Sequence, residues 1–117
     1  MKRICLAVAA AAIGLVGATA TQAAVPKLVG TVGPGFTITL KKGGVNVRTL
    51  KAGTYSIAVS DLSNAHNFHL FGPGVNKTTT VAGKGRTTWT VKFQKGKTYR
   101  FICDPHASTM SGSFKVV

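Results

Sequence analysis

Thr98-Tyr99-Arg100-Phe101-Ile102-Cys103-Asp104-Pro105-His106-Ala107-Ser108-Thr109-Met110 is a β-strand pattern that runs directly into a loop of metal-binding residue types. Tyr99, Phe101 and Cys103 alternate with Arg100 and Ile102, so a period of two puts the first three on one face of a strand. Asp104-Pro105 breaks the run, and Cys103, His106 and Met110 then fall on the limbs of one tight loop that can wrap a single ion.

The same alternation recurs upstream. Trp89, Val91 and Phe93 share one face of their strand, and Tyr55, Ile57 and Val59 share one face of theirs. Turn-forming runs punctuate the chain at Gly33-Pro34-Gly35, Gly43-Gly44, Gly72-Pro73-Gly74 and Gly83-Lys84-Gly85, and no segment sustains a helical period. Strands are expected over residues 36–40, 45–50, 54–60, 66–71, 78–81, 87–93, 98–103 and 112–117. Eight short strands and these turns describe an all-β sandwich. Lys51-Ala52-Gly53-Thr54-Tyr55 and Lys95-Gly96-Lys97-Thr98-Tyr99 resemble each other as equivalent strand beginnings, each a basic turn leading to a Tyr.

The first residues have a different character. Lys2 and Arg3 precede an apolar run from Ile4 to Ala18, and small residues follow to Ala24. That is the layout of a secretory signal peptide over residues 1–24, with cleavage expected after Ala20, Ala23 or Ala24, and its apolar run is shorter than the ~20 residues of a membrane-spanning helix. Residues 25–117 are then one domain with one core. Cys5 leaves with the peptide, so Cys103 is the only cysteine of an exported chain. It has no disulfide partner, and metal ligation gives it a role.

Two of the 15 Lys and Arg residues lie in the signal segment, which leaves 13 against Asp61 and Asp104. This balance favours anionic partners: an acidic redox protein, or the anionic cell envelope in a peripheral association. Nucleic acid is not expected, because the bases are dispersed over turns and strand faces without a recognition motif or aromatic RNA-binding signature.

All three histidines join Cys103 and Met110 in two short segments, one of them Asn64-Ala65-His66-Asn67-Phe68-His69-Leu70. Thiolate, imidazole and thioether are soft or borderline donors, and two imidazoles with one thiolate and a weak axial Met suit type 1 (blue) copper. Structural zinc favours more thiolates, and catalytic zinc would leave Met110 idle in a chain without carboxylates placed as a general base. If Phe68 and Leu70 point inward, His66 does too and is the first ligand. His69 then points outward, unless a β-bulge exchanges the faces and makes His69 the ligand instead.

His66-Asn67 and Cys103-x-x-His106-x-x-x-Met110, in a signal-bearing chain with this strand pattern, resemble plastocyanin-type cupredoxins. The resemblance implies a Greek-key β-sandwich holding one copper ion. It makes His66, Cys103 and His106 the strong ligands and Met110 the long axial one. Asn67 would brace the ligand loop and donate toward the cysteine sulfur, and His106 would reach the surface within an apolar patch as an electron port. The interval from His106 to Met110 is one residue shorter than in photosynthetic plastocyanins, which bears on the axial distance, and a basic surface stands where plant plastocyanins have an acidic patch. The expected function is one-electron transfer by a monomer in the periplasm, cell envelope or medium. Catalysis is not expected, since the chain has no second histidine cluster and no paired carboxylates. The alternative is copper storage or delivery, which favours exchangeable, Met-rich or His-rich sites.

Overall fold

The computed structural model describes residue 14 and residues 24–117, so the expected signal segment lies almost wholly outside the described residues. Ten strands follow: β1 (Lys27–Val32), β2 (Ile38–Lys42), β3 (Val45–Asn46), β4 (Thr49–Leu50), β5 (Gly53–Asp61), β6 (His69–Gly72), β7 (Val75–Thr78), β8 (Gly85–Phe93), β9 (Thr98–Ile102) and β10 (Ser111–Val116). One 3₁₀ turn, Asp104–His106, separates β9 from β10. No helix among the described residues is long and apolar enough to cross a membrane.

Two five-stranded sheets face each other, ordered β3-β2-β1-β5-β8 and β4-β10-β9-β6-β7. Most neighbours are antiparallel, but β1 runs parallel to β5 and β4 parallel to β10. The all-β Greek-key sandwich is therefore the observed architecture. Alternation puts the expected rows inside: Tyr55, Ile57 and Val59 from β5, Val91 and Phe93 from β8, and Tyr99 and Phe101 from β9 are buried, with Trp89 packed at the margin.

Two aromatic groups sit within a core that also holds aliphatic side chains from both sheets. Tyr55, Phe93, Tyr99 and Phe114 interlock at one end, with Phe93 4.7 Å from Tyr99 and 5.1 Å from Phe114 between ring centroids. Phe68 stacks on Phe101 at 5.8 Å beside Trp89 at the other. Each fully buried large side chain contributes about 1.5–3 kcal/mol relative to exposure. Tyr hydroxyls find partners at the margin: Tyr55 donates to Lys51 O at 2.7 Å and Tyr99 to Pro73 O at 2.9 Å.

Several boundaries differ from those read in the sequence. Strand β1 was not among the expected ones. Its Gly30 lies under Phe68, where a Cβ would come 2.9 Å from the ring, so the glycine that weakens the strand signal is the one the packing requires. The run 45–50 is not one strand. Val47 turns into the core and donates its N–H to Leu40 O, so β3 stays in one sheet while β4 joins the other. Residues 66–68 precede strand β6, and the second hairpin strand covers Val75–Thr78 instead of 78–81. Phe36 is not in a strand either: Gly33 N–H donates to Thr37 O and Thr37 N–H to Gly35 O, which closes a loop with Phe36 at its tip.

Candidate metal centre

The inward row of β9 ends at Cys103, which is fully buried. The 3₁₀ turn then reverses the chain: His106 N–H donates to Cys103 O at 3.0 Å, and Met110 N–H donates to His106 O at 2.8 Å. Cys103 N–H closes the loop on Met110 O at 3.0 Å, so the backbone alone sets Cys103, His106 and Met110 around one small volume. Met110 is 1 % exposed.

From beside the strand that neighbours β9 in the same sheet, the segment before β6 delivers His66, which is 3 % exposed. Its Nδ1 lies 3.0 Å from His106 Nδ1, and both nitrogens lie 3.6 Å from Cys103 Sγ. A triangle with those sides has its centre about 2 Å from every corner, the length of a metal–imidazole bond and slightly under that of a metal–thiolate bond. Two imidazoles and a thiol with donor atoms pointing at one centre fit a soft or borderline cation better than they fit one another. One proton can lie between the two nitrogens, and a thiol is a weak partner for either. Among the described residues this is the one such cluster of metal-binding side chains.

His66 is inward, but strand alternation is not the cause. Residues 66–68 are all buried, Asn67 included, because the segment is irregular and held by side chains. Asn67 Nδ2 donates to Asp104 Oδ2 at 2.6 Å and to Thr78 Oγ1 at 3.0 Å, while its Oδ1 accepts from Asp104 N–H at 2.8 Å. One amide thus joins the first histidine segment to the residue after Cys103. Phe68 N–H donates to Thr79 Oγ1, which donates to the buried Asp61, whose other oxygen accepts from Ser63 N–H. Every buried side-chain polar atom among the described residues has a partner.

His69 stands apart from the cluster. It faces out from β6, with Nδ1 2.9 Å from Asp104 Oδ1 and Nε2 2.7 Å from Asn76 Oδ1. Burial disfavours its charge, but the bonds to Asp104 and Asn76 outweigh that and raise its pKa above the ordinary histidine value. The hydrogen bond with His69 in turn holds the Asp104 carboxyl below its usual value, against partial burial and with help from Asn67.

Two features had escaped the sequence reading. Asp104 had no visible partner along the chain, yet it receives bonds from Asn67 and His69 together. Phe36 sits with its ring 5.0 Å from both His66 and His106 and is 68 % exposed, a lid over the histidines contributed by the Gly33–Thr37 loop. Its signal was a large apolar residue directly after a Gly-Pro-Gly turn, a place where a core residue is out of reach.

A β-sandwich with a buried Cys, two convergent imidazoles and a buried Met at one end defines the cupredoxin class. More specifically, the chain belongs to the family of copper binding proteins described as plastocyanin/azurin, whose model matches residues 29–117, and copper is its cofactor. Among solved structures, reduced auracyanin from the photosynthetic bacterium Roseiflexus castenholzii is similar, at 19% identity and a TM-score of 0.54. The match covers 81% of this chain and 99% of that one. A chain of a heme-copper terminal oxidase dimer is similar at 17% identity and TM-score 0.54, with 78% of this chain and 63% of that one covered. A multi-copper oxidase from Pediococcus acidilactici matches at 16% identity and TM-score 0.51 over 83% of this chain and 27% of its own. At these identities the likeness is one of fold. No curated protein matches the sequence.

Proposed function

We propose that the protein is an exported, monomeric one-electron carrier whose copper is held by His66 Nδ1, Cys103 Sγ and His106 Nδ1, with the Met110 sulfur as a weaker fourth ligand. The observation that supports this most directly is the convergence of those three donor atoms at 3.0 and 3.6 Å inside a rigid frame. Bound there, copper supplies a single-electron couple between Cu(II) and Cu(I).

The chain's own residues fix the geometry and admit the electron. Asn67, Asp104 and Thr78 tie the histidine segment to the cysteine loop, so the donors hold one arrangement in either charge state and little rearrangement opposes transfer. Cys103 and Met110 are buried in the core, which keeps water from the thiolate. His106 alone of the four is partly exposed, and its edge beneath Phe36 is the way in and out. We place the signal peptide at residues 1–24 and the working protein outside the cytoplasm.

The copper-cargo reading is less well supported, because Cys103 and Met110 are buried and offer no path for quick ligand exchange. The balance of 13 basic residues against two Asp in residues 25–117 favours a redox partner with an acidic surface. Its association rate should fall as salt rises past about 0.1 M, where screening shortens the reach of those charges.

The deciding experiment is one equivalent of Cu(II) added to the purified protein, followed by visible absorption and EPR. An intense blue thiolate-to-copper band with narrow copper hyperfine splitting is expected, and Cys103→Ser should abolish both while preserving the β-sheet circular dichroism. A pale spectrum with ordinary splitting would remove Cys103 from the ligand set and the electron-carrier reading with it.

A further inference from the structure

The strand directions sort the charges into two ends. β1 and β5 run toward the copper site and β8 away from it, so Gly53, Phe93 and Lys27 lie at the far end of their sheet. In the other sheet β9 runs toward the site and β10 away, which puts Thr98 and Val116 at that same far end. Lys51, Lys95 and Lys97 occupy turns there, Lys27, Lys42, Lys92 and Lys115 stand at its strand ends, and Arg48 lies beside them, all exposed. Both acidic residues of the domain are at the other end, Asp61 closing β5 and Asp104 following Cys103, where Lys84 and Arg86 are the nearby bases.

This basic pole is one continuous surface. Ala52 N–H donates to Val117 O, Gly96 N–H to Val116 O and Val117 N–H to Leu50 O, which locks the turns at residues 51–53 and 94–97 to the end of β10. Valines stand exposed among the lysines: Val45 at 69 %, Val117 at 55 % and Val25 at 46 %.

We propose that this pole docks on anionic phospholipid bilayers, with the copper end held away from the membrane. Two observations select a lipid surface over other polyanions. Seven of its charges are lysines, point charges suited to a diffuse negative potential, against the single guanidinium of Arg48, where a phosphodiester strand would call for several arginine forks. The valines between the lysines meet the headgroup and acyl boundary, where exposed apolar side chains gain by burial. Nine residues of β5 separate the two ends, about 30 Å at strand rise, so a docked molecule keeps His106 and Phe36 free for a partner.

The test is co-sedimentation of the exported, copper-loaded protein with vesicles. Those of phosphatidylcholine with about 30 mol % phosphatidylglycerol should bind it, and pure phosphatidylcholine vesicles should not. Lys95→Gln with Lys97→Gln should weaken partitioning about 30-fold, whereas Lys84→Gln with Arg86→Gln, an equal loss of charge at the copper end, should weaken it only a few-fold. Unchanged melting temperatures and spectra in both variants establish that the difference is one of surface. Equal losses from the two pairs, equal binding to neutral vesicles, or binding to soluble dextran sulfate without binding to vesicles would each overturn the proposal. Vesicle binding does not depend on electron transfer, so this proposal and the carrier function fail separately.

Discussion

His69 Nδ1 and Nε2 each face an acceptor, Asp104 Oδ1 and Asn76 Oδ1, and only the imidazolium can donate to both at once. Because its folded pKa is raised, the pair's contribution to stability is fully present below about pH 6.5, the unfolded value, and is lost as pH rises through the folded one. Asp104 sets the lower bound. Its folded pKa is lowered, so its part is present above about 3.8 and fades as pH falls through the folded value. The expected outcome is that His69→Gln costs about 0.5 kcal/mol near pH 5, the size of a half-exposed ion pair, and almost nothing near pH 9. Denaturant midpoints of the two proteins at both pH values check this. Asn67→Leu removes the bonds that join the two ligand segments. It should shift the reduction potential and speed copper loss to a chelator, measured by voltammetry and by bleaching of the blue band. His69 as an outward residue was legible from alternation. Its partner was not, because Asp104 meets it only when two segments 35 residues apart come together.

At the level of elements, the strands that carry large inward residues were readable to within a residue or two, and those that do not were lost. Strands β5, β8 and β9 present unbroken aromatic or β-branched rows, and such rows have one way to face a core. Strand β1 escaped because Gly30 stands where an apolar side chain should continue the row, and the space belongs to Phe68. The 45–50 run deceived for the opposite reason: a continuous β-rich stretch cannot announce that its halves pair in different sheets. Glycine also marks a testable joint in β10. A Cβ on Gly112 would collide with the ring of Phe101, which stacks on Phe68 and stands two residues before the ligand Cys103 in the same inward row. Gly112→Ala should therefore destabilise by about 1–3 kcal/mol, the range for overpacking a filled core, and should alter the blue band as Phe101 is displaced. Thermal unfolding and the absorption spectrum read the two effects separately.

The whole molecule does not depend on copper for its core. The sheets enclose two aromatic clusters, and the Asn67, Asp104 and Thr78 bonds frame the site with protein atoms alone. Removing copper should leave β-sheet circular dichroism unchanged and lower the melting temperature by several degrees, since a ligand that binds only the folded form raises apparent stability by mass action. A chain that unfolds on chelation would instead make the metal part of the fold. Composition declared the basic balance of the domain, but its polarity was hidden. Lysines far apart in sequence meet at one end only because successive strands reverse direction.

The strand order also says something about time. β1 waits for β5, which begins some twenty residues after it ends, and β4 waits for β10, the last of the ten described strands. Long-range pairings of this kind make folding slow relative to helical domains, since distant segments must meet before either gains anything. Cys103, His106 and Met110 follow nine of the ten described strands, so a competent binding site needs those strands to be available first. Colour therefore appears late in assembly, and a blue molecule is one whose sandwich has already found its order.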